Sequence, residues 1–215
     1  MQIKAAEIIS VGTELLLGDI VNTDAAFISK RLAALGIAQY HQSTIGDNSE
    51  RLEEVITESL SRSALVIPPG GLGPTYDDLT KETAARVMGR TLILDDESLS
   101  RIENRAKSFG FEMTENNKKQ ALVPEGSTIF KNNYGTAPGM AIEDFENEKL
   151  IILLPGPPRE CEPMFAEEVE PYLKRFTDKL LLSHTLNIFG IGESKVESIL
   201  RPLMLESRNP TLAPY

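Results

Sequence analysis

A glycine-rich segment followed by two adjacent carboxylates is the part of this chain best suited to chemistry: Gly70-Gly71-Leu72-Gly73-Pro74-Thr75-Tyr76-Asp77-Asp78. Glycines let the backbone adopt positive φ and approach a ligand closely. Backbone N–H groups that point into a concavity bind phosphate oxygens. Asp77 and Asp78 are suited to holding a divalent cation or handling a proton, although either one could simply be the N-cap of a following helix. We interpret the segment as a site for phosphate-ester chemistry.

Three other loops combine small residues with a polar or charged side chain: Gly12-Thr13-Glu14, Asn132 to Pro138, and Pro155 to Glu160. Like the glycine-rich segment, each follows a predicted strand. In open α/β sheets the ligand lies at the carboxyl ends of the strands. We therefore expect the four loops to converge on one site.

Each polar residue in these loops has two interpretations. Glu14 lies between apolar runs, where a carboxylate favours a partner or a metal, but it could be a solvated loop residue. Arg159 in a first helical turn opposes the helix dipole and would suit a phosphate. Asn133 could bind a ligand or belong to a hairpin turn, and Asp19 and Asn22 could bind a ligand or form a turn and a helix cap.

Strands and helices alternate in the first part of the chain. The strands are predicted at Glu7–Val11, Ile37–Ile45 and Ala64–Ile67. The helices follow them: one capped by Asn22 or Thr23 and ended by Gly36, one capped by Asp47-Asn48-Ser49, and one from Asp78 to Met88. This alternation predicts an α/β fold with a mostly parallel sheet and helices on both faces.

The rest of the chain adds further elements. We predict helices at Glu97–Phe109, Thr114–Leu122, Glu160–Phe176 and Glu193–Leu203, and strands at Ser127–Phe130, Gly139–Ile142, Lys149–Leu154 and Leu180–Phe189. The last strand would belong to a different sheet. We therefore expect one domain over residues 1–177 and the start of another over residues 178–215, which is too short to bury a core alone.

The composition narrows the partners. The chain has 215 residues with 22 basic and 32 acidic side chains, so its formal net charge is −10. This argues against binding to nucleic acid or to an anionic membrane, because phosphate backbones favour clustered Lys and Arg. An acidic pocket favours a metal bridge to phosphate, since bare carboxylates would repel it. With one cysteine, Cys161, no apolar run of about 20 residues and no signal peptide, we expect a cytoplasmic protein.

Four segments, in this order and with this spacing, resemble the CinA (competence/damage-inducible) family, in particular its molybdopterin-binding-like N-terminal domain. The match extends over about residues 5–172. It comprises Gly12-Thr13-Glu14-Leu15-Leu16-Leu17-Gly18-Asp19-Ile20-Val21-Asn22-Thr23, Gly70-Gly71-Leu72-Gly73-Pro74-Thr75 with Asp77-Asp78, Gly135-Thr136-Ala137-Pro138-Gly139, and Leu154-Pro155-Gly156-Pro157-Pro158-Arg159-Glu160.

The resemblance implies a three-layer α/β fold related to molybdenum-cofactor biosynthesis proteins, followed by part of a KH-type middle domain. It also implies a metal-dependent hydrolase that cleaves the pyrophosphate of ADP-ribose to AMP and ribose 5-phosphate. The nicotinamide-mononucleotide deamidase domain of many relatives is not expected here. One position departs from the family, which usually has Thr where this chain has Pro69.

On this resemblance we assign roles to the candidate residues. Glu14 and Asp78 would hold a divalent metal (Mg, Mn or Co), with Asp77 assisting or orienting a water. The remaining ligand-binding candidates are Gly70, Gly71, Gly73 and Thr75 for the pyrophosphate, Asn133 and Arg159 for the outer phosphate or ribose, Asp19 and Asn22 for the ribose or adenine, and Gly156 and Pro157. We expect a small-molecule nucleotide as partner and a homo-oligomer, with a dimer favoured.

Two alternatives stay open. One is adenylyl transfer to molybdopterin, although the relatives that do this tend to have GGTG followed by an Arg-Asp pair, where this chain has Gly-Gly-Leu-Gly and Asp77-Asp78. The other is a non-catalytic nucleotide-binding module, which the loss of a hydroxyl at Pro69 favours.

Overall fold

The computed structural model, which describes residues 1–108, 110, 113–178 and 181–214, is built around a mixed sheet of six strands. In chain order the strands of the protein are β1 Ala5–Val11, β2 Ala38–Ile45, β3 Leu65–Ile67, β4 Leu92–Leu94, β5 Leu122–Pro124, β6 Thr128–Phe130, β7 Gly139–Asp144 and β8 Lys149–Leu153. The main sheet has the order β2-β1-β3-β8-β7-β6, and β4 pairs with β5 in a separate antiparallel ribbon.

The pairing within the main sheet is mostly parallel. Strand β1 lies parallel to both β2 and β3, and β3 lies parallel to β8. Strand β7 runs antiparallel to β8 and to β6, so β6 points in the same direction as β8. This arrangement confirms the predicted mostly parallel sheet and places the carboxyl ends of β1, β3, β6 and β8 at one edge.

Helices cover both faces of the sheet. The helices are α1 Thr13–Leu17, α2 Thr23–Ala34, α3 Ser49–Arg62, α4 Thr80–Val87, α5 Asp96–Ser108, α6 Glu115–Lys119, α7 Pro158–Met164, α8 Glu170–Leu173 and α9 Glu193–Glu206. A π-helical turn, Phe165–Val169, joins α7 to α8, and a 3₁₀ turn, Lys174–Phe176, follows α8. Together these segments form the helical region predicted over Glu160–Phe176.

Alternating side chains of the strands form two separate cores. Residues of α2 and of the helical region after β8 pack on one face of the sheet, against Ile8, Ile67 and Ile152. Residues of α3 and α4 pack on the other face, against Ile9 and Ile151. Because successive residues of a strand point to opposite faces, β1 and β8 supply both cores and are buried almost throughout. The predicted three-layer fold is confirmed.

Helix caps explain where two of these helices begin. The side chain of Asn22 accepts a hydrogen bond from the amide of Ala25 and caps α2, as predicted, and that of Asn48 accepts one from Arg51 and caps α3. Gly36, with φ 69°, ends the segment after α2. These caps satisfy backbone donors that the first turn of a helix leaves unpaired.

Several predictions for the first unit were wrong. Gly12-Thr13-Glu14 was expected to be a loop, but helix α1 starts at Thr13 and ends where Gly18 takes up a left-handed conformation. Helix α4 begins at Thr80 after Leu79, so neither Asp77 nor Asp78 caps it. Leu122 belongs to β5 rather than to a helix. The strands β4 and β5 were not predicted, because each lies beside a predicted helix and only their pairing with each other distinguishes them from loops.

Residues 182–214 form a second unit that carries helix α9. None of its described residues is buried, and residues 181–189 have no regular secondary structure. The predicted strand Leu180–Phe189 is therefore wrong over residues 181–189, while Leu180 lies outside the described residues, as do Phe109 and Tyr215. The reason is that a strand needs a partner strand, and none of the described residues of this unit offers one. The predicted boundary between residues 177 and 178 stays a prediction; the two compact units divide after Leu181.

No helix in the described part of the chain has the length and apolar character to cross a membrane.

Candidate functional site

A cavity of about 580 Å³ lies at the edge where the four strands end. Its wall is formed by loops that follow β1, β3, β6 and β8, as the sequence predicted. Ten of the predicted site residues line it: Glu14, Asn22, Gly70, Gly71, Gly73, Thr75, Asp77, Asp78, Gly156 and Pro157. The cavity therefore brings together residues that are more than 140 positions apart in sequence.

The glycine-rich loop is attached to the sheet through its backbone. The amide of Gly70 donates to the carbonyl of Leu154 at 3.0 Å, and the amide of Val11 donates to the carbonyl of Pro69 at 3.0 Å. Gly70 has φ 102°, and a Cβ there would collide with the carbonyl oxygen of Val11. Glycine is required because no L side chain fits this conformation or this space. Pro69 fits because its carbonyl, not a side-chain hydroxyl, makes the bond to β1.

Three successive amides of this loop are free. Within the described residues, the N–H groups of Gly71, Leu72 and Gly73 make no hydrogen bond to any other group. Gly71 has φ 67°, so the chain turns sharply at the wall of the cavity. Consecutive unpaired amides in a concave turn form an anion-binding geometry. Leu72 contributes a free backbone amide to the cavity wall, and reasoning from side chains did not identify it as a site residue.

The two adjacent carboxylates are held differently. Asp78 accepts hydrogen bonds from the amide of Thr75 at 2.9 Å and from its hydroxyl at 2.5 Å, which closes the turn before α4. Asp77 also contacts the hydroxyl of Thr75, and this bond lowers the pKa of the exposed Asp77 carboxyl. Thr75 therefore positions both carboxylates. Lys119 donates to the carbonyl oxygens of Asp78 and Thr75 and holds the turn from outside the cavity.

Glu14 lies on helix α1, none of whose residues is buried. Its apolar neighbours do not bury it, because Leu16 and Leu17 are 56% and 72% exposed. Its carboxylate folds back over Gly12, where a Cβ would collide with it. Asp47 lines the same wall and accepts bonds from the amide and hydroxyl of Thr13 at 3.0 and 2.8 Å. The sequence had indicated only a helix cap at Asp47.

The wall of the cavity is acidic. Of the residues that the structure describes, six acidic side chains and no Lys or Arg line it: Glu14, Asp24, Asp47, Asp77, Asp78 and Glu160. A phosphate would be repelled by this wall unless a cation accompanied it. The described residues contain no group of three or more His, Cys, Asp or Glu side chains arranged to hold a metal. Any cation would therefore depend on ligand oxygens as well as on protein carboxylates.

Three predicted residues do not line this cavity in the described structure. Asp19 is exposed. Arg159 is 83% exposed in its side chain, and its Nε lies 4.0 Å from Glu160 Oε1. Asn133 lines a neighbouring cavity of about 300 Å³, where its Oδ1 accepts a hydrogen bond from Arg101 at 3.2 Å. A ligand would have to extend beyond the main cavity to reach any of them.

Asn22 lies in the cavity wall, but its side chain is committed to the fold. Its Oδ1 accepts from the amide of Ala25 at 3.1 Å, and its Nδ2 donates to Ser10 Oγ at 2.8 Å. The structural interpretation of Asn22 as a helix cap is confirmed. One N–H of the amide group is left for a ligand.

Asn132 and Glu160 form a buried pair that sequence reasoning did not single out. The Nδ2 group of Asn132 donates to Glu160 Oε2 at 2.9 Å and to the carbonyl of Ala137 at 2.8 Å. Its Oδ1 accepts from the amides of Tyr134 and Gly135. Asn132 therefore fixes the loop after β6 to the start of α7. The Asn-Asn pair before Gly135 was the sequence signal, and Asn132 rather than Asn133 is the buried member.

Two family models match the chain. One, described as "Probable molybdopterin binding domain", matches residues 7–175, and one, described as "Damage-inducible protein CinA KH domain", matches residues 183–215. The range that the first model matches contains every described residue that lines the cavity.

Two similar proteins carry the same name. A "Putative competence-damage inducible protein" of Clostridium tetani is 56% identical over 210 residues, which are 98% of this chain and 51% of that protein. The protein of the same name in Clostridioides difficile is 54% identical, again over 98% of this chain and 50% of its own length. The chain thus spans about half the length of the curated relatives it matches.

Solved structures agree with the fold. The protein CinA of Thermoplasma acidophilum, described as of unknown function, superposes with a TM-score of 0.72 at 34% identity, over 80% of this chain and 98% of that one. The molybdopterin biosynthesis enzyme MoaB of Thermus thermophilus superposes with a TM-score of 0.53 at 18% identity, over 82% and 98% of the two chains. At that identity the second comparison supports the fold alone.

Proposed function

The chain belongs to the CinA family of competence-damage inducible proteins, and on that premise we propose that it is a metal-dependent hydrolase of the pyrophosphate bond of ADP-ribose. Water would add to one phosphorus atom, the bridging P–O bond would break, and AMP and ribose 5-phosphate would leave. The observation that carries the proposal is the cavity itself, which combines three free backbone amides with an acidic wall. The choice of ADP-ribose rests on the family's motifs.

The amides of Gly71, Leu72 and Gly73 support a phosphate position. Bonds from backbone amides to a phosphate oxygen are charge-assisted and do not discriminate among phosphate esters. The amide of Gly70 donates to Leu154, so Gly70 contributes shape rather than a donor. Thr75 acts indirectly, since its amide donates to Asp78 and its hydroxyl contacts both Asp77 and Asp78.

The donor set of the cavity fits a divalent cation that arrives with its phosphate ligand. Magnesium is usually held by one or two carboxylates together with substrate phosphates and water, rather than by a complete protein cage. Glu14 and Asp78 would hold it, since both line the cavity and each carboxylate lies over a glycine. When bound, the ion supplies charge neutralisation at the phosphate oxygens. This accounts for a phosphate site whose described wall has no Lys or Arg.

Asp77 would orient the attacking water. An efficient general base has a pKa near the working pH, whereas the hydrogen bond from Thr75 holds the pKa of Asp77 below its ordinary value. Asp77 therefore stays ionised and accepts a hydrogen bond from water without readily removing its proton. The exposed position of the carboxylate leaves room for that water.

Release of AMP from ADP-ribose tests the proposal. The purified chain should release AMP with Mg²⁺, Mn²⁺ or Co²⁺ and should lose that activity with EDTA. Asp78→Ala should lower kcat by a factor of at least about 100, in the range for loss of an electrostatic contact to the reacting group. Glu54→Ala, an exposed acid on α3 outside the cavity, is the matched control. Equal turnover by Asp78→Ala and Glu54→Ala would remove Asp78 from the mechanism.

The name of the matching family model favours a second candidate, adenylyl transfer to molybdopterin. Both reactions would use the same phosphate position, so the cavity does not separate them. A product-mass screen over ADP-ribose, NAD, FAD and molybdopterin with ATP distinguishes the two. Binding of a nucleotide without any product would indicate a non-catalytic module.

A further inference from the structure

Asp24 is a buried carboxyl group in the wall of the cavity, with an oxygen that has no partner. The residue is 8% exposed, and Oδ1 makes no hydrogen bond within the described structure. It lies in the first turn of helix α2 and lines the cavity. Buried polar atoms in native proteins are nearly always hydrogen-bonded, so an unpaired carboxylate oxygen calls for an explanation.

Helix stability does not explain this burial. An acidic residue in a first turn interacts favourably with the helix dipole, but an exposed residue obtains the same benefit, as Glu50 does in α3. Burial of Asp24, followed by the nearby charge of Glu162, instead raises the pKa of its carboxyl to about 7. The ionised form is therefore disfavoured by the fold. Groups placed at a cost to stability are concentrated in functional sites.

The surroundings of Asp24 differ from those of the glycine-rich loop. Ile20 and Val21, which precede α2, line the same cavity although they are 52% and 82% exposed. Pro157 and Pro158 line it as well, from the loop that follows β8. Apolar surfaces interspersed with polar groups, here Asn22, Thr23 and Asp24, suit the ring faces and polar edge of a nucleoside.

We propose that Asp24 binds the nucleoside half of the ligand by accepting a hydrogen bond from an N–H or O–H donor, with Ile20 and Val21 against its apolar faces. The proposal rests on the proposed function in one respect: the phosphate half lies at the amides of Gly71, Leu72 and Gly73. The donor would be the amino group of the base or a hydroxyl of the ribose. Either would give the carboxyl group of Asp24 a partner in the cavity.

Calorimetric titration of the full chain with AMP and with ribose 5-phosphate tests the proposal without requiring turnover. At pH 8, above the pKa of the Asp24 carboxyl, Asp24→Asn keeps an oxygen acceptor but loses the charge. It should therefore weaken AMP binding by about tenfold, the difference between a charge-assisted and a neutral hydrogen bond. Ribose 5-phosphate binding should stay within about twofold if the donor is on the base, and should weaken together with AMP binding if the donor is a ribose hydroxyl. The thermal midpoint should not fall, because the amide removes a buried charge. Glu54→Gln, a change at an exposed acid on α3 outside the cavity, should bind both ligands like the unchanged protein.

Ligand variants identify the donor. If the amino group of the base is the donor, Asp24→Asn and the unchanged protein should bind purine riboside 5′-monophosphate, which lacks that amino group, equally. If a ribose hydroxyl is the donor, they should bind 2′,3′-dideoxy-AMP equally. A tenfold loss that persists for both ligands overturns the donor role.

The other outcomes of the AMP and ribose 5-phosphate titrations also decide whether the proposal holds. Equal affinity of Asp24→Asn and the unchanged protein for AMP overturns the proposal, as does a common loss of AMP and ribose 5-phosphate binding with a lower thermal midpoint. No binding of AMP to the unchanged protein overturns it as well. If AMP binds with the expected sensitivity to Asp24 but ADP-ribose is not hydrolysed, the proposed function fails and the nucleoside subsite stands.

Discussion

Gly73 and Asp78 are in contact across the turn that precedes α4. A Cβ on Gly73 would collide with the carboxylate of Asp78, the end of a flexible side chain. Gly73→Ala should therefore move that carboxylate, lower the rate of AMP release by at least about tenfold, and change the free energy of unfolding by less than about 1 kcal/mol. Rates and denaturant unfolding should be measured on the same preparation.

Gly192→Ala is the control for this substitution, since a Cβ there meets nothing within 4 Å and its φ is −74°. It should leave the rate unchanged. A Gly73→Ala variant with full activity would show that the position of Asp78 does not matter for the reaction.

Lys81 is a buried cation on α4 that the proposed reaction does not use. It is 3% exposed, and its Nζ donates to the carbonyl of Lys119 at 2.5 Å. Burial lowers the pKa of its amine to about 8, with smaller effects from nearby charges. Because the folded-state pKa lies below the unfolded one, the cost of burying the charge is fully present below pH 8. It is relieved as the pH rises toward 10.5, so the protein should gain stability over that range.

A shift of the Lys81 pKa from 10.5 to about 8 corresponds to a gain of about 3 kcal/mol in the free energy of unfolding. Lys81→Met should lack this gain, so the free energy of unfolding of the unchanged protein should rise relative to that of Lys81→Met between pH 8 and 10.5. The exposed Lys107→Met variant should follow the unchanged protein throughout. If the free energy of unfolding depended on pH in the same way for all three proteins, Lys81 would not be buried as a charge.

At the scale of elements, helix α3 is tied to strand β1 by a bidentate ion pair. Arg62 donates to both oxygens of Glu7 at 2.8 Å, and Ser63 donates to Oε1 at 2.7 Å. Burial raises the pKa of Glu7, but its bonds to Arg62 and Ser63 outweigh that effect and lower it overall. The pair's contribution to stability is present above pH 4.5 and is lost as the pH falls below it.

Arg62→Met should lower the free energy of unfolding by about 3 kcal/mol, because Glu7 would be left as an unpaired buried charge. The estimate is at the low end of the range since the side chain of Arg62 is 33% exposed. Adding Glu7→Gln should recover part of the loss, because the amide keeps its bond to Ser63. Arg201→Met breaks an exposed pair and should cost less than about 0.5 kcal/mol. Urea unfolding measures all four proteins.

The sequence predicted elements whose signals are local. Helices α2 and α3 were predicted because a capping asparagine precedes a periodic apolar face, and β1, β3 and β8 because apolar runs end at turn residues. Strands β4 and β5 are short apolar segments, and no local signal shows that Leu92–Leu94 pairs with Leu122–Pro124. Within the site, the glycine-rich loop could be identified by composition. Asp24 and Asp47 could not, since each has the local sequence of an ordinary helix start and only packing places it in the cavity wall.

At the scale of the molecule, all residues that line the cavity lie within Met1–Leu181. The described residues of the second unit include no buried side chain, and several large apolar ones are exposed, including Leu186 and Phe189 at 85% and 92%. A segment of this length cannot bury enough surface to be stable alone. The two cores on either side of the sheet, in contrast, are complete within the first unit.

A fragment of residues 1–181 should therefore unfold in one cooperative transition and bind AMP within about twofold of the full chain, since no group of the cavity has been removed. A peptide of residues 182–215 should show no cooperative transition. Calorimetric scans of the two fragments, with titration of the first by AMP, measure both expectations. If the longer fragment folded cooperatively but lost its affinity for AMP, residues of the second unit would have to contribute to the ligand site.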